Sequence, residues 1–394
     1  MHARLEGRLL SRTRSRWCPV GRGAIGLFAL LLGGTTFSPP VVSASIQDQP
    51  LPRDPMRFVA EDGAIRMVEH RRIRLDESLV YLSGANSLDF FDDGSFVIAS
   101  ADVAAVVLYD GDGHQRRVLG SWGPGPLEYE RPRIVRVAGR SVFVYDAGQG
   151  KYLAIDSSGR VVEEWKGTVR SPDDFVVRGS WIIGLMAHSE EFLIEGFDTA
   201  STDTMSAAPS NLETAARNAV DRATRFGADD ERLYFAYPGR NELQVFDIAG
   251  GETSTVPLPP EGFKLEEFPF TNPADINVAM FDGRLLRHVY QNSRVDGADV
   301  LDDYVVVHRI DGELPLQGVL TIPSSRRRSR RLVVYDRSLR HVDTVVLDFE
   351  TLRVLGRSEV GSDGNALYYV LEATPDGGRT VEWHMLEFRL EPNM

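Results

Sequence analysis

The sequence repeats itself. Residues 94–119 run GSFVIAS, AVVLYDGDG and HQRRVL; residues 139–165 run GRSVFVYD, KYLAIDSSG and RVVEEW. Residues 231–258 (ERLYFAY, ELQVFDIAGG, ETSTVPL) and 303–347 (DYVVVHRI, RRLVVYDRSLR, HVDTVVL) follow the same plan. Each unit has an apolar β-branched or aromatic segment, a second segment ending in an aromatic or Ile before Asp, a turn, and a more polar third segment. Asp110, Asp156, Asp198 and Asp247 are spaced by 46, 42 and 49 residues, and Asp336 lies 89 further on, two periods or one enlarged one. In three of these turns Gly stands three residues after the Asp: Asp110/Gly113, Asp156/Gly159 and Asp247/Gly250. Such an Asp accepts a backbone N–H and the Gly supplies the positive φ that closes the turn, so these aspartates are assigned to turns rather than to chemistry.

The strands inside the repeat are apolar on both faces: VVLY at 106–109, LVVYD at 332–336 and LYYVL at 367–371. A strand of that kind must be covered on both sides. Four-stranded sheets stacked face to face around an axis cover it, leaving only short edges exposed. A period of 42–49 residues with four strands per unit therefore predicts an all-β β-propeller with four antiparallel strands per blade. A sandwich would not repeat so regularly, and a β-helix has a shorter period. The markers count six blades with an enlarged fifth unit between 260 and 347; a seventh blade within 275–291 is the alternative, and that stretch reads equally as an insertion with a helical turn. The segment 66–75, RMVEHRRIRL, is expected to join the last blade and close the ring. Residues 211–226 have helical apolar spacing and read as an inter-blade helix, as a segment whose tail is the inner strand of blade 4, or as a surface insertion.

After the first unit come Gly123-Pro124-Gly125, Glu128-Tyr129, Pro132, an apolar strand and Val144-Tyr145-Asp146. This order resembles the glycine-proline-glycine, acidic-aromatic, proline and strand pattern of NHL-repeat six-bladed propellers. Pro126 and Leu127 are inserted relative to that pattern, and Arg136 stands where the family usually has an acidic residue. The detailed match covers about 120–160 and the looser blade pattern about 76–392. The resemblance implies fold more than activity, because such propellers include binding scaffolds, lyases and lactonases.

The chain begins differently. Six Arg lie within residues 1–22, followed by the apolar run GAIGLFALLLGG (23–34) and by Val42-Ser43-Ala44. A basic head, a short apolar core and small residues before a cut read as a secretory signal peptide over 1–44. A single propeller domain over 45–394 and a secreted or periplasmic location follow. Twelve apolar residues are short for a bilayer span, so no membrane span is expected after cleavage. Cys18, the one cysteine, lies in the leader, so no internal disulfide is available. Without the leader, 38 Lys and Arg face 56 Asp and Glu, a net charge of −18. That balance argues against a nucleic-acid partner, which would need cations facing phosphates.

No nucleotide-binding glycine loop, nucleophile elbow, HExxH pair or EF-hand loop occurs. DGDG at 110–113 lacks the later oxygen ligands of a calcium loop. Some NHL-type lyases are zinc enzymes, and His188 and His288 are the candidates for a metal site between strands. Lactonase-type propellers hold a divalent ion on inner-strand carboxylates; here the acidic pairs 92–93, 173–174, 229–230 and 302–303 read mainly as turns. No cofactor is expected, with calcium or zinc as the divalent alternative. The run SSRRRSRR (324–331) reads as a solvated loop or as a contact for anions. Propeller ligands bind where the inner strands converge, which places Asn86, Asp89, Arg133, Asp174, Arg222 and Arg357 on a mixed-charge rim. The leading expectation is a non-catalytic scaffold for a polar small molecule, glycan or protein. A metal-assisted lyase or lactonase-type hydrolase at the channel mouth and a structural subunit of an envelope complex are the alternatives.

Overall fold

The computed structural model describes residues 55–60, 62–82, 85–166, 171–186, 189, 191–201, 203–210, 226–237, 239–265, 279, 284–312, 330–347, 353–361, 364–373 and 382–393. Two strands open it, β1 (Arg57–Val59) and β2 (Ile65–Arg74). Blade 1 follows with β3 (Ser87–Phe90), β4 (Phe96–Ser100), β5 (Ala105–Tyr109) and β6 (Gln115–Val118). Blade 2 is β7 (Pro132–Ala138), β8 (Ser141–Asp146), β9 (Lys151–Ile155) and β10 (Val161–Lys166). Blade 3 is β11 (Asp174–Arg178), β12 (Trp181–Leu185), β13 (Phe192–Asp198) and β14 (Thr204–Pro209). Blade 4 is β15 (Gly227–Ala228), β16 (Arg232–Phe235), β17 (Glu242–Asp247) and β18 (Thr253–Pro257). The helix α1 (Arg284–Gln291) then precedes blade 5, formed by β19 (Arg294–Val300), β20 (Tyr304–Ile310), β21 (Arg330–Asp336) and β22 (His341–Leu347). Blade 6 holds β23 (Arg353–Val360), β24 (Ala366–Ala373) and β25 (Glu382–Pro392).

The molecule is a six-bladed β-propeller with four antiparallel strands per blade. The segment weighed as a seventh blade is helical over Arg284–Gln291 instead. In each blade chain order is also spatial order from the inner strand outward, and the sixth sheet reads β23-β24-β25-β2-β1. The segment from Ile65 to Arg74 thus supplies the fourth strand of blade 6, in register with β25 from Ile65↔Pro392 to Arg74↔His384.

Six apolar clusters lie one between each pair of neighbouring blades, and alternation along single strands shows why. In β4, Phe96 and Ile98 pack toward blade 6 whereas Val97 and Ala99 pack toward blade 2. In β21, Leu332 and Val334 face blade 6 whereas Val333 and Tyr335 face blade 4. A period-two strand sends alternate side chains to opposite faces, and here both faces are core.

The repeat's aspartates close the hairpins between the third and outer strands. Asp110 accepts from the N–H groups of Asp112 and His114, Asp156 from Ser158 and Arg160, and Asp336 from Ser338 and Arg340. Asp93 likewise accepts from Ser95, and Asp229 from Glu231 and Arg232.

The N-terminal strands also fasten blade 5. Ala60 bridges Val345 of β22. The fully buried Asp343 carboxylate accepts from the N–H groups of Ala64 (2.9 Å), Ile65 (3.1 Å) and its neighbour Thr344 (2.7 Å), with Asp62 at 3.4 Å.

Candidate functional site at the channel mouth

Every inner strand is the edge of its sheet, so its outer row of N–H and C=O groups has no ladder partner and must find one elsewhere. Blade 1 meets part of this need for blade 2: Ser87 Oγ lies 3.3 Å from both N and O of Val135, and the N–H of Val137 donates to Asp89 Oδ2 at 2.7 Å. Blade 2 does the same for blade 3. Arg136 donates through Nε to the Phe175 carbonyl (2.9 Å), through Nη1 to Ser87 Oγ (3.1 Å), and through Nη2 to Asp174. Blade 3 repeats the device toward blade 4, where Arg178 donates to the carbonyls of Ala228 (3.0 Å) and Asp229 (3.2 Å). Arg136 and Arg178 are both the fifth residue of their strands. A polar ladder thus ties blades 1 to 4 along the channel wall.

Within it, burial pushes the Asp89 carboxyl above the ordinary aspartate value, against the opposing pull of the Arg136 charge and the Val137 N–H. The residue as a whole is only partly buried.

The face on which the inner strands begin, also crossed by the blade-to-blade connections, has a different character. Three inner strands have irregular registers near their starts, β23 between Val354 and Ser358, and β7 and β19 with one extra residue each. In β7 the register passes from Pro132↔Asp146 to Ile134↔Tyr145, leaving Arg133 as the extra residue. In β19 it passes from Val295↔Arg309 to Gly297↔His308, leaving Asp296 as the extra residue. Bulges re-aim side chains and recur beside functional sites. Blades 2 and 5 are three positions apart in a ring of six, so these two residues stand on opposite sides of the axis.

Arg133 is 38% exposed, and its guanidinium lies 3.6 Å from the buried Asp173 carboxylate, an ion pair without hydrogen-bond contact. Asp296 is buried, with Arg294 Nε 3.0 Å from its Oδ1, but that oxygen receives no hydrogen bond among the described residues. Between the inner strand of blade 5 and its neighbour β20 lies a buried couple, His308 Nε2 at 2.6 Å from Asp299 Oδ2. On the connection into blade 2, Trp122 stands 70% exposed.

Of the residues placed on the rim by sequence, Asn86 is exposed just before β3 and accepts from the Ala101 N–H at 2.6 Å. Asp89, Arg133 and Asp174 are on the inner strands of blades 1, 2 and 3, and Arg357 is on the inner strand of blade 6. One correction follows from the geometry. Asp173 and Asp174 are buried rather than turn residues, with Asp174 paired to Arg136. Asp89 accepts from the Val137 N–H of the next blade. Arg222 and His188 lie outside the described residues. His288 is buried on α1, its Nδ1 2.9 Å from the Asn292 side-chain nitrogen. No group of three His, Cys, Asp or Glu converges among the described residues.

Arg136, Arg178, Asp296 and the Asp299–His308 couple were not singled out as channel residues by sequence. Arg136 had one signal, its departure from the resembled pattern. The bulges had none, since one extra residue in a strand leaves the apolar pattern intact on either side.

Fold and mouth together define the class, a six-bladed propeller with a mixed-charge channel entrance. No family model matches the sequence, and no curated protein matches it. Among solved structures the fold is similar to a member of the DUF4221 family from Bacteroides vulgatus, with a TM-score of 0.60, 13% identity, and coverage of 84% of this chain and 99% of that one. It is also similar to a Bacteroides fragilis protein described as exported, with a TM-score of 0.58, 11% identity, and coverage of 84% and 97%. A streptogramin B lyase aligns at a TM-score of 0.44 with 12% identity, covering 82% and 98%, a level that carries no argument about activity. At these identities the likeness shows the fold alone.

Proposed function

We propose that this chain is an exported recognition propeller that binds a polar ligand at the channel mouth. The basic, apolar and small-residue order of residues 1–44 supports export, as does the description of a structural neighbour as exported. The observation that carries the binding reading is the pair of bulged residues of opposite charge, Arg133 and Asp296. Deeper in the channel the ladder residues hydrogen-bond the backbones of neighbouring blades. At the mouth, the Arg133 guanidinium stands off its carboxylate partner, and the buried Asp296 Oδ1, 3.0 Å from Arg294 Nε, receives no hydrogen bond among the described residues. A buried oxygen in that condition costs free energy that a ligand donor can recover, and the exposed guanidinium is open to solvent and ligand.

A thermal-shift screen of amino acids, organic acids, sugars and short peptides tests this, run on the wild type and on the Arg133→Ala/Asp296→Ala double variant. The expected result is a set of stabilising compounds whose effect is lost in the double variant. Stabilisers that act equally on both proteins would move the site away from the mouth.

A lyase or lactonase-type hydrolase is the second reading, favoured by the Asp299–His308 couple, since a carboxylate that orients an imidazole is the usual support of a general base. Turnover of lactone or glycan substrates that is lost in His308→Gln would select it.

A further inference from the structure

A cavity of about 440 Å³ lies away from the residues of the channel mouth, on the flank of blade 5. Three segments wall it: the connection leaving blade 4, strands β20 to β22, and the turn between β1 and β2. Its volume falls within the range of small-molecule sites.

The two guanidiniums that line it are spent inside the fold. Arg309, 1% exposed, donates through Nε to Asp311 (3.2 Å), through Nη1 to the Pro259 carbonyl (2.8 Å), and through Nη2 to the Glu261 carbonyl. Arg331, at the described end of the arginine run, donates through Nε to the other oxygen of Asp311 at 2.5 Å and has further partners. The buried Asp343 carboxylate is spent as well, on the N–H groups of Ala64, Ile65 and Thr344. These contacts hold the walls in place and leave little for an anion.

What remains unspent is acidic. Asp62 and Glu261 are exposed, and neither carboxylate has a partner among the described residues. They stand on different walls, and both backbones are fastened. The Asp62 N–H lies 3.4 Å from Asp343 Oδ1, and the Glu261 carbonyl is held by Arg309. Pro259 and Pro260 give the cavity an apolar lining. Counting Asp62, Glu261, Asp311 and Asp343 against Arg309 and Arg331 leaves an excess of two negative charges around this space.

We infer that this cavity binds an aliphatic diamine, with one ammonium on Asp62, the other on Glu261, and the methylene chain against Pro259 and Pro260. Ammonium–carboxylate hydrogen bonds are charge-assisted, and a dication cancels the local excess of charge. A single ammonium leaves one carboxylate unmatched. A diol of the same length brings hydrogen bonds without charge. A divalent metal ion wants several converging oxygens, and no three His, Cys, Asp or Glu converge among the described residues.

The test is isothermal titration of the full propeller with 1,5-diaminopentane, with Nα-acetyl-lysine N-methylamide as a single protein-like ammonium, with 1,5-pentanediol and with magnesium chloride. Saturable binding of the diamine is expected, weakening as sodium chloride is raised. The other three should bind about tenfold more weakly or not at all. Asp62→Asn and Glu261→Gln should each weaken diamine binding about fivefold, and the two together about tenfold or more, the scale of partly exposed charge-assisted contacts. The Arg133→Ala/Asp296→Ala variant should bind the diamine as wild type does, which separates this cavity from the channel mouth. Melting curves establish that each variant is folded, and either single substitution serves if the other does not fold. Diamine binding unchanged by both substitutions, lysine amide or magnesium binding as tight as the diamine, diamine binding lost in the mouth variant, or no diamine binding at all would each overturn the inference.

Discussion

At the scale of single residues, the aspartates divide into two populations, only one of which is readable in sequence. Asp110, Asp156 and Asp336 act on N–H groups two and four residues away, so their role is local and their spacing discloses it. Asp343 acts on residues 278 or more positions distant, and no local pattern marks it. Because its oxygens serve three well-placed N–H groups in a fully buried site, Asp343→Asn sets an amide donor against donors from Ala64 and Ile65. We expect a loss of about 1–3 kcal/mol, measured by urea unfolding against wild type; an unchanged midpoint would show that the clasp carries no stability. Asp89 has the opposite sign. Its carboxyl is held above the ordinary value by burial, so the folded state binds its proton more tightly than the unfolded chain does. Its contribution is fully present below the unfolded value near 3.8 and is lost as pH rises through the higher folded value. Asp89→Asn, which keeps an acceptor for Val137, should therefore flatten the fall in melting temperature as pH rises above the unfolded value of 3.8.

At the scale of elements, the connection from blade 1 to blade 2 shows how buried charge fixes a loop. Lys151, fully buried on β9, donates to the Gly125 carbonyl (3.2 Å) and to Glu164 on β10 (2.9 Å), while Glu164 also receives the Leu127 N–H at 2.8 Å. Burial works against ionisation of Glu164, but the Lys151 hydrogen bond, the Leu127 N–H and Lys166 outweigh it and bring the carboxyl down to about 2. A lowered acid contributes stability above its unfolded value of 4.5 and loses it as pH falls toward 2. Glu164→Gln should accordingly be less stable than wild type at pH 7, and the difference should shrink across that window in a series of melting curves. The ring closure belongs to this scale too. The basic, alternating 66–75 segment was legible as a strand without a blade of its own, and it lies against β25. A chain lacking residues 45–78 loses the burial of Ile65, Met67 and Ile73. At about 1.5–3 kcal/mol each, that approaches the ~5–15 kcal/mol net stability of ordinary domains. Calorimetry should show a much lower melting temperature or no transition; a normal transition would mean that the ring holds without its closing strand.

At the scale of the whole molecule, the architecture was legible because its cause is written along the chain: strands greasy on both sides at a fixed period admit few solutions. The stretch 275–291 stayed open between a seventh blade and an insertion with a helical turn because short apolar runs suit helix and strand alike, and Arg284–Gln291 is helix. The channel was legible only in outline. Inner strands could be located, but side chains cooperating across blades depend on bulges and on the meeting of distant segments. The export reading predicts that protein recovered from the periplasm or medium begins at Ser45, which intact-mass measurement checks; retention of residues 1–44 would contradict it. The central claim is that ligand recognition occurs where the inner strands begin. Hydrogen–deuterium exchange with the best stabiliser from the thermal-shift screen tests it most directly. Protection should appear at the connections leading into β7, β11 and β19 and at the first residues of those strands, around Arg133, Asp173 and Asp296. Protection confined to the outer strands, or none at saturating ligand, would contradict it.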